Sequence, residues 1–403
     1  MLKSILFVDD EPLVLEGLRR NLRAMRKEWE MDFASSGAEA LEMMTRQRFD
    51  VVVTDMKMPG MDGAQLLEEI KRRTPQCVRM ILSGEADRGT ILRCVNPAHQ
   101  YLSKPCEPEE LKTRLLRAFA LRDLLENSDL KAVVSTLDSL PSLPLLYLEL
   151  TEELRSPEPS LTKVSRLISA DMAMTAKVLQ LVNSAFFGLR CEVSTATRAV
   201  ELLGFDIVTS LVLSTHIISR FKTAVLTDAD VQYIWEHSLA SASYAKRIAA
   251  REHEDRKVVD DCFTAALLHD AGKLIMASAL QAQYKTVLAN VRNLNKGVYA
   301  AEREIFGCSH AEVAAYLFGL WGLPGNIIEA VALHHSPSDS QRSEFSPVTA
   351  VHLGSIYHEQ RSEYWMQDRT PIDSEFLSKT GCVEREQSWR KFLEEGDEER
   401  KTP

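Results

Sequence analysis

The sequence predicts two domains of different class: a doubly wound parallel α/β sheet over residues 1–120, and an all-α domain after it. Three observations carry this reading. Up to about residue 120, short apolar runs alternate with amphipathic helical stretches; from there to about residue 361 helical spacing is unbroken by strand-like alternation. The chain has 403 residues, too many for a single hydrophobic core.

In the first part, "ILFVDD" (5–10) is an apolar run stopped by acids, followed by helical spacing through Leu13, Leu18 and Leu22. "VVVTD" (51–55) repeats the pattern after the helix-like "GAEALEMMTRQ", "VRMILSG" (78–84) repeats it again, and "HQYLSKP" (99–105) is the last such run. Continuous apolar strands separated by amphipathic helices imply a parallel sheet covered on both faces. The ligand crevice of such a sheet lies beyond the carboxyl ends of its strands. Asp9, Asp10, Asp55, Ser83 and Lys104 all fall at strand ends, so this topology gathers them at one edge.

Clustered carboxylates raise one another's pKa unless a cation offsets them. Magnesium suits the task because it prefers hard oxygen ligands. One carboxylate is then left as a nucleophile toward phosphorus, with Lys104 and the metal neutralising phosphoryl charge and the Ser83 hydroxyl donating a hydrogen bond. The set describes an aspartyl-phosphate site.

With these residues in order, and with the "MPGMDG" loop and Pro105 after Lys104, residues 3 to about 120 resemble a two-component receiver domain of flavodoxin-like fold. The resemblance implies Asp55 as phospho-acceptor and magnesium held by Asp10, Asp55 and the Lys57 carbonyl, with Asp9 acting mostly through water. It also implies Tyr101 as the aromatic switch and a sensor histidine kinase as the phosphoryl donor.

Residues 121–140, "LRDLLENSDLKAVVSTLDSL", hold no Gly or Pro and read as a helical linker. After the two prolines of "LPSLPLL", Ser160 offers an N-cap to a stripe of Leu161, Val164, Leu167 and Ile168. The all-α domain is expected over 141–361. The charged extension 362–403 is expected to end, after about residue 381, as a solvated helix or tail.

Nine of the ten histidines lie in this half. His310 follows Ser309 at a helix start, His334 and His335 prolong the stripe of Ile327, Ile328 and Val331, and His352 falls between Val348 and Ile356. His237 flanks the stripe through Ile234. His269 and Asp270 close "VVDDCFTAALLHDAGK", where Gly272 is available as a C-cap. Imidazoles converging on a carboxylate suit iron, manganese, zinc or nickel better than magnesium. A metal-activated water there would attack a phosphoester, with Lys273 placed to hold a phosphate oxygen.

"LPSLPLL", "NSAFFG", "AVELLG", "WEHSLASASYA", "LLHDAGKL", "SHAEVAAYLFGLWGLPGNIIEAVALHHSP" and "VTAVHLGS" together resemble the HDOD family, a relative of the HD metal-dependent phosphohydrolases. The resemblance implies an HD-like helical output module, often without demonstrated catalysis. Carried over residue by residue, the HD signature gives His237 and His269-Asp270. Its closing aspartate has no match, and His352 stands nearest by context. No GYP motif occurs and no "HHE" follows His334, so the set supplies one carboxylate where a two-metal site needs several.

The expected function is therefore a response regulator in a two-component phosphorelay, signalling through its HDOD half to a protein partner and having no dedicated catalysis there. The alternative is a receiver-gated metal-dependent phosphohydrolase or cyclic-dinucleotide phosphodiesterase. Fifty-eight acidic against 48 basic residues, a net charge of -10 and the lack of a basic recognition helix disfavour nucleic acid. Seven scattered cysteines without a CxxC pair read as reduced thiols. No leader and no membrane-length apolar run is apparent, which points to a cytoplasmic protein without membrane contact. Receivers often dimerise on phosphorylation, and these residues leave a homodimer open.

Overall fold

The computed structural model describes residues 3–74, 77–83, 98–104, 108–124, 129–130, 133–134, 145–154, 156, 158–183, 193–221, 223–253 and 255–401. The chain divides into two compact units: Met1–Leu145 with Tyr316–Leu323, and Leu146–Ala315 with Pro324–Pro403.

The first unit contains the doubly wound parallel sheet. Its strands are β1 (Lys3–Val8), β2 (Trp29–Ala34), β3 (Val51–Thr54), β4 (Val78–Ser83) and β5 (Gln100–Ser103), in spatial order β2-β1-β3-β4-β5. The chain leaves β1 outward to β2 and returns on the other side to β3, so the topological switch falls between β1 and β3. Val8 is in register with both Ala34 and Thr54, which puts Asp9 and Asp55 side by side just past the strand ends. Ser83 pairs with Ser103, so Lys104 leaves the same edge.

β1 and β3 are apolar on both faces because helices cover both. Leu6, Val52 and Ile81 meet Leu66, Leu67 and Ile70 of helix α3 (Gly63–Arg73) on one face. Helix α1 (Pro12–Asn21) starts with proline at its first turn, and α2 (Gly37–Arg46) is capped by the Ser36 side chain. Helix α4 (Pro108–Leu124) buries Leu111, Leu115, Ala118 and Phe119, and the Phe119 ring lies 5.4 Å from that of Trp29. It runs to Leu124, and most of the expected linker, 121–140, lies outside the described residues.

Every regular element described in the second unit is helical, as expected. Its first helices are α5 (Leu145–Leu154), α6 (Leu161–Ser169), α7 (Met172–Val182), α8 (Ala196–Leu203) and α9 (Phe205–Arg220). Ser160 caps α6 as the sequence predicts. The centre is α10 (Asp228–Glu252), packed against α11 (Arg256–Leu268) and α17 (Pro347–Glu359). A β-carbon on Gly354 would stand 2.7 Å from the Ser241 carbonyl oxygen, so only glycine allows α17 this close to α10. Around them lie α12 (Ala271–Ala279), α13 (Gln281–Leu294), α14 (Val298–Phe306), α15 (His310–Leu320) and α16 (Gly325–Leu333).

The charged extension ends as helix, and beyond residue 381 it faces solvent along most of its surface, as expected, except on one buried face. It forms α18 (Ser374–Lys379) and α19 (Val383–Lys401), in which Phe376, Trp389 and Leu393 are buried. The Trp389 indole N–H donates to Glu252 Oε1 at 2.8 Å. Charge dominates the composition of this segment, but Trp389 and Leu393 share a covered face of α19, while Val383 at its start stays exposed.

Candidate functional site

At the sheet edge, Lys104 Nζ lies 2.7 Å from Asp9 Oδ2 and 2.6 Å from Asp55 Oδ1. The backbone N–H of Glu11 donates to Asp9 Oδ1 at 2.9 Å, and that of Lys57 to Asp55 Oδ2 at 2.6 Å. Both acids are buried and each is held by one ammonium and one amide, which fixes their orientation. Burial works against the Lys104 charge, but Asp55 and Asp9 outweigh it and raise the lysine above its ordinary pKa.

The "MPGMDG" loop has a mechanical role. Gly60 takes a positive φ of 79°, turning the chain back, and Asp62 with Gln65 forms a capping box that starts α3. A β-carbon on Gly63 would stand 2.1 Å from the Asp55 carbonyl oxygen, so glycine there lets α3 begin against the acceptor's own backbone.

Asp10 is half-buried at the same edge and Lys57 is exposed. Ser83 ends β4 and Tyr101 lies in β5 opposite Ile81, but the side chains of both lie outside the described residues. Asp9, Asp10 and Asp55 offer only hard oxygens, which fits magnesium. Among the described residues, no three acidic ligand atoms of this edge lie within 4.8 Å of one another.

The second unit gathers most of its predicted histidines. His237 comes from the middle of α10, His269 and Asp270 from the junction of α11 and α12, His310 from the start of α15, and His334-His335 from just beyond α16. All are buried. His269 Nε2 is 3.2 Å from His237 Nε2 and 3.5 Å from Asp270 Oδ1; His310 Nε2 is 3.3 Å from Asp270 Oδ1 and 3.1 Å from His335 Nε2. Three overlapping groups have ligand atoms within 4.8 Å: His237 with His269 and Asp270, Asp270 with His310 and Asp368, and His310 with His334 and His335.

The outer ring nitrogens fix the tautomers. Nδ1 of His269 and of His334 each face a carbonyl oxygen at 2.7 Å, those of Ala266 and Val331, and Nδ1 of His310 faces Glu302 Oε2 at 2.6 Å. An acceptor opposite Nδ1 places the proton there, so Nε2 of neutral His269 and His334 presents a lone pair inward, and Nε2 of His310 does so once it gives up its second proton. His237 and His335 can donate to two of these. His334 Nε2 is buried with no hydrogen-bond partner, while Asp270 Oδ1 has only the His310 and His269 rings beside it, at 3.3 and 3.5 Å. The buried, unpartnered His334 Nε2 among convergent rings and carboxylates is an acceptor that a cation satisfies.

The electrostatics agree. Burial, then the neighbouring rings, hold His334 and His335 well below the usual histidine value. Burial also opposes the charge on Lys273, yet Asp270 and Asp368 raise it well above the ordinary lysine value. Burial opposes the ionisation of Asp270, while His269 and Lys273 favour it; since His269 is itself held neutral, Lys273 carries the effect. The charges that suit a metal also favour a proton: against burial, Glu302 and Asp368 push His310 up to about 10.

Four sequence expectations need correction. His352 does not face the centre: its Nδ1 meets the His334 carbonyl oxygen at 2.7 Å and its Nε2 accepts from the Asp373 N–H at 3.0 Å, so it braces the backbone behind His334. Gly272 is no C-cap. It lies in the first turn of α12, where a β-carbon would stand 2.0 Å from the His310 carbonyl oxygen, and it lets α12 and α15 meet. Lys273 is not free to hold a phosphate, because its Nζ lies 2.8 Å from Asp270 Oδ2 and 2.6 Å from Asp368 Oδ2. The centre also has more than one carboxylate, since Asp368 and Glu302 join Asp270.

Sequence reading missed Asp368, Glu302, Glu359 and His358. His358 Nδ1 lies 2.7 Å from His237 Nδ1, and Glu359 holds the segment that carries Asp368. Glu302 left a faint signal as an acid on the same helical face as Val298. Asp368 left none, because its segment has no periodicity.

The architecture is a parallel sheet with an acid-and-lysine edge in one unit and, among the described residues, helices alone in the other. Family models agree: residues 5–116 match the response regulator receiver domain and residues 140–337 the HDOD domain. Among curated relatives, an uncharacterized protein of Treponema pallidum is 26% identical over 208 residues, 51% of this chain and 39% of the relative. The hydrogenase transcriptional regulatory protein HoxA of Cupriavidus necator is 34% identical over 138 residues, 33% of this chain and 28% of that protein. The chain thus spans well under half the length of either. The crystal structure of an HDOD domain protein of unknown function from Geobacter sulfurreducens shares the fold, with a TM-score of 0.57 and 24% identity over 68% of this chain and 95% of that one. The chain is a response regulator with a receiver domain and an HDOD output domain. No helix among its described residues is long and apolar enough to cross a membrane.

Proposed function

We propose that this response regulator accepts a phosphoryl group on Asp55 from the phosphohistidine of a sensor kinase, in the cytoplasm. Its HDOD domain then passes the changed state to a protein partner. The observation that carries this reading is the bridging of Asp9 and Asp55 by Lys104 at 2.7 and 2.6 Å, at the switch point of the sheet. A carboxylate oxygen of Asp55 attacks phosphorus, the donor's N–P bond breaks, and an acyl phosphate forms. Lys104 balances the charge gained by the phosphoryl oxygens, and Ser83 donates to one of them. Magnesium, when bound by Asp10, Asp55 and the Lys57 carbonyl with Asp9 behind it, supplies further charge neutralisation. The new charge draws Ser83 and Tyr101 inward and alters the adjoining face. The domain limits that go with this reading are 1–120, a connector 121–140, the output domain 141–361, and the packed extension 362–403.

Acetyl phosphate with magnesium is expected to add the mass of one phosphoryl group to the purified chain. Asp55→Asn is expected to abolish the addition; undiminished addition in that variant contradicts the assignment.

The unpartnered His334 Nε2 and the three groups of ligand atoms within 4.8 Å favour a further reading, a centre for a transition metal such as iron, manganese, zinc or nickel. His237, His269, Asp270, His310, His334 and His335 would hold it, and such an ion supplies Lewis acidity toward phosphoesters when bound. Elemental analysis, together with turnover of cyclic dinucleotides, separates a binding centre from a hydrolase; absence of metal removes both.

A further inference from the structure

Asp368 lies beyond the segment that matches the HDOD model, on the irregular stretch 360–373 between α17 and α18. Its placement is nonetheless tightly determined. Asp368 Oδ1 accepts from the Tyr299 N–H at 3.0 Å and Oδ2 from Lys273 at 2.6 Å. Glu359, the last residue of α17, accepts from the N–H of Asp368 at 2.6 Å and from that of Arg369 at 3.1 Å, one on each carboxylate oxygen. Arg369 takes a positive φ of 56°, a conformation that residues with side chains adopt rarely and that the surrounding contacts hold. On the opposite side, a β-carbon on Gly297 would stand 1.8 Å from the Asp368 carbonyl oxygen. An irregular segment held from three directions presents one buried carboxylate to the histidine centre.

Oxygens or nitrogens of Asp270, His310 and Asp368 lie within 4.8 Å of one another, and His335 Nε2 is 3.7 Å from Asp368 Oδ2. Asp270 Oδ1 is buried 3.3 Å from His310 Nε2, and His334 Nε2, which groups with the same His310, is buried with no hydrogen-bond partner. The one lysine present, Lys273, reaches Oδ2 of each acid. It satisfies the carboxylates from one side and leaves His334 Nε2 without a partner.

We infer that Asp368 is a ligand for a divalent transition metal shared with Asp270 and His310, and that Lys273 competes with this metal for the two carboxylates. The inference rests on the metal-centre reading above. It makes the extension part of the output domain's working centre, because metal occupancy and the position of residues 360–373 become linked. It also supplies negative charge that the sequence reading lacked: Asp270 and Asp368 face the Lys273 ammonium, and Glu302 faces His310 Nδ1.

The test uses the full chain, stripped by chelator and titrated with Mn2+, Zn2+ and Co2+ against a competing indicator. Asp368→Asn is expected to weaken binding by about 10- to 100-fold, the range for losing a group that serves a metal site. Lys273→Met, which removes the competitor, is expected to tighten it. Hydrogen exchange of residues 360–373 in the unaltered chain is expected to slow when metal is added, and this decides the matter if Asp368→Asn fails to fold. Metal binding that leaves this exchange unchanged, or equal affinity in Asp368→Asn, overturns the role of Asp368. Failure of the unaltered chain to bind any of the three ions overturns the metal-centre reading itself.

Discussion

Lys104 is the residue on which the sheet edge turns. It is the cation in contact with both Asp9 and Asp55, and two buried carboxylates without it repel each other. Lys104→Met is expected to slow acetyl-phosphate labelling on the order of 100-fold, the usual cost of losing one preorganised charge stabiliser, and intact-mass time courses measure it. A second residue-scale prediction concerns acid. His99 is buried in the first unit with the Arg79 N–H donating to its Nδ1 at 3.1 Å, and burial, then Arg79, hold it well below its ordinary value of 6.5. Its folded pKa is depressed, so its contribution to stability is complete above the unfolded value and is lost as pH falls toward the folded one. The urea midpoint of the first unit is expected to drop between about pH 7 and about pH 5. His99→Gln is expected to flatten that slope.

The strand-end acids were legible because a parallel strand buried on both faces reads as a continuous apolar run, and the residue just past its end must lie at the sheet edge. Helix faces were legible by the same kind of periodicity. Where a histidine ring points was not: His352 has the spacing of its neighbours, yet turns to backbone partners. Helix junctions were hidden for a related reason. "HDAGK" reads as a helix end with a glycine cap, whereas the chain restarts at once and Gly272 serves a close approach between α12 and the His310 backbone. The two close-contact glycines set the placement of both centres. Gly63→Ala would drive its new methyl into the Asp55 carbonyl, and overpacking of this kind costs about 1–3 kcal/mol. Equilibrium denaturation is expected to show that loss together with slower labelling of Asp55; Gly17→Ala, with nothing within 4 Å, serves as the control.

For the whole molecule, composition gave the C-terminal helix its exposed faces but not its buried one. A segment rich in Glu, Arg and Lys was expected in solvent, but Trp389 is 2% exposed and donates to Glu252 at the end of α10. Its removal leaves a cavity beneath α19, so Trp389→Ala is expected to cost about 3–5 kcal/mol of stability in the second unit. A change under about 0.5 kcal/mol, typical of surface positions, would show the helix to be dispensable. The two units carry different chemistry on different architectures: hard oxygens and a lysine at a sheet edge, and imidazoles with carboxylates among helices. Reversible charge at the first is what makes the chain a switch. Borohydride reduction after acetyl-phosphate treatment, followed by peptide mapping, tests this most directly, because it converts an acyl phosphate into a stable alcohol at the modified residue. The account predicts a single reduced position, Asp55, within the peptide that contains residues 51–63. Reduction at another acid, or at none in a fully folded sample with magnesium present, contradicts it.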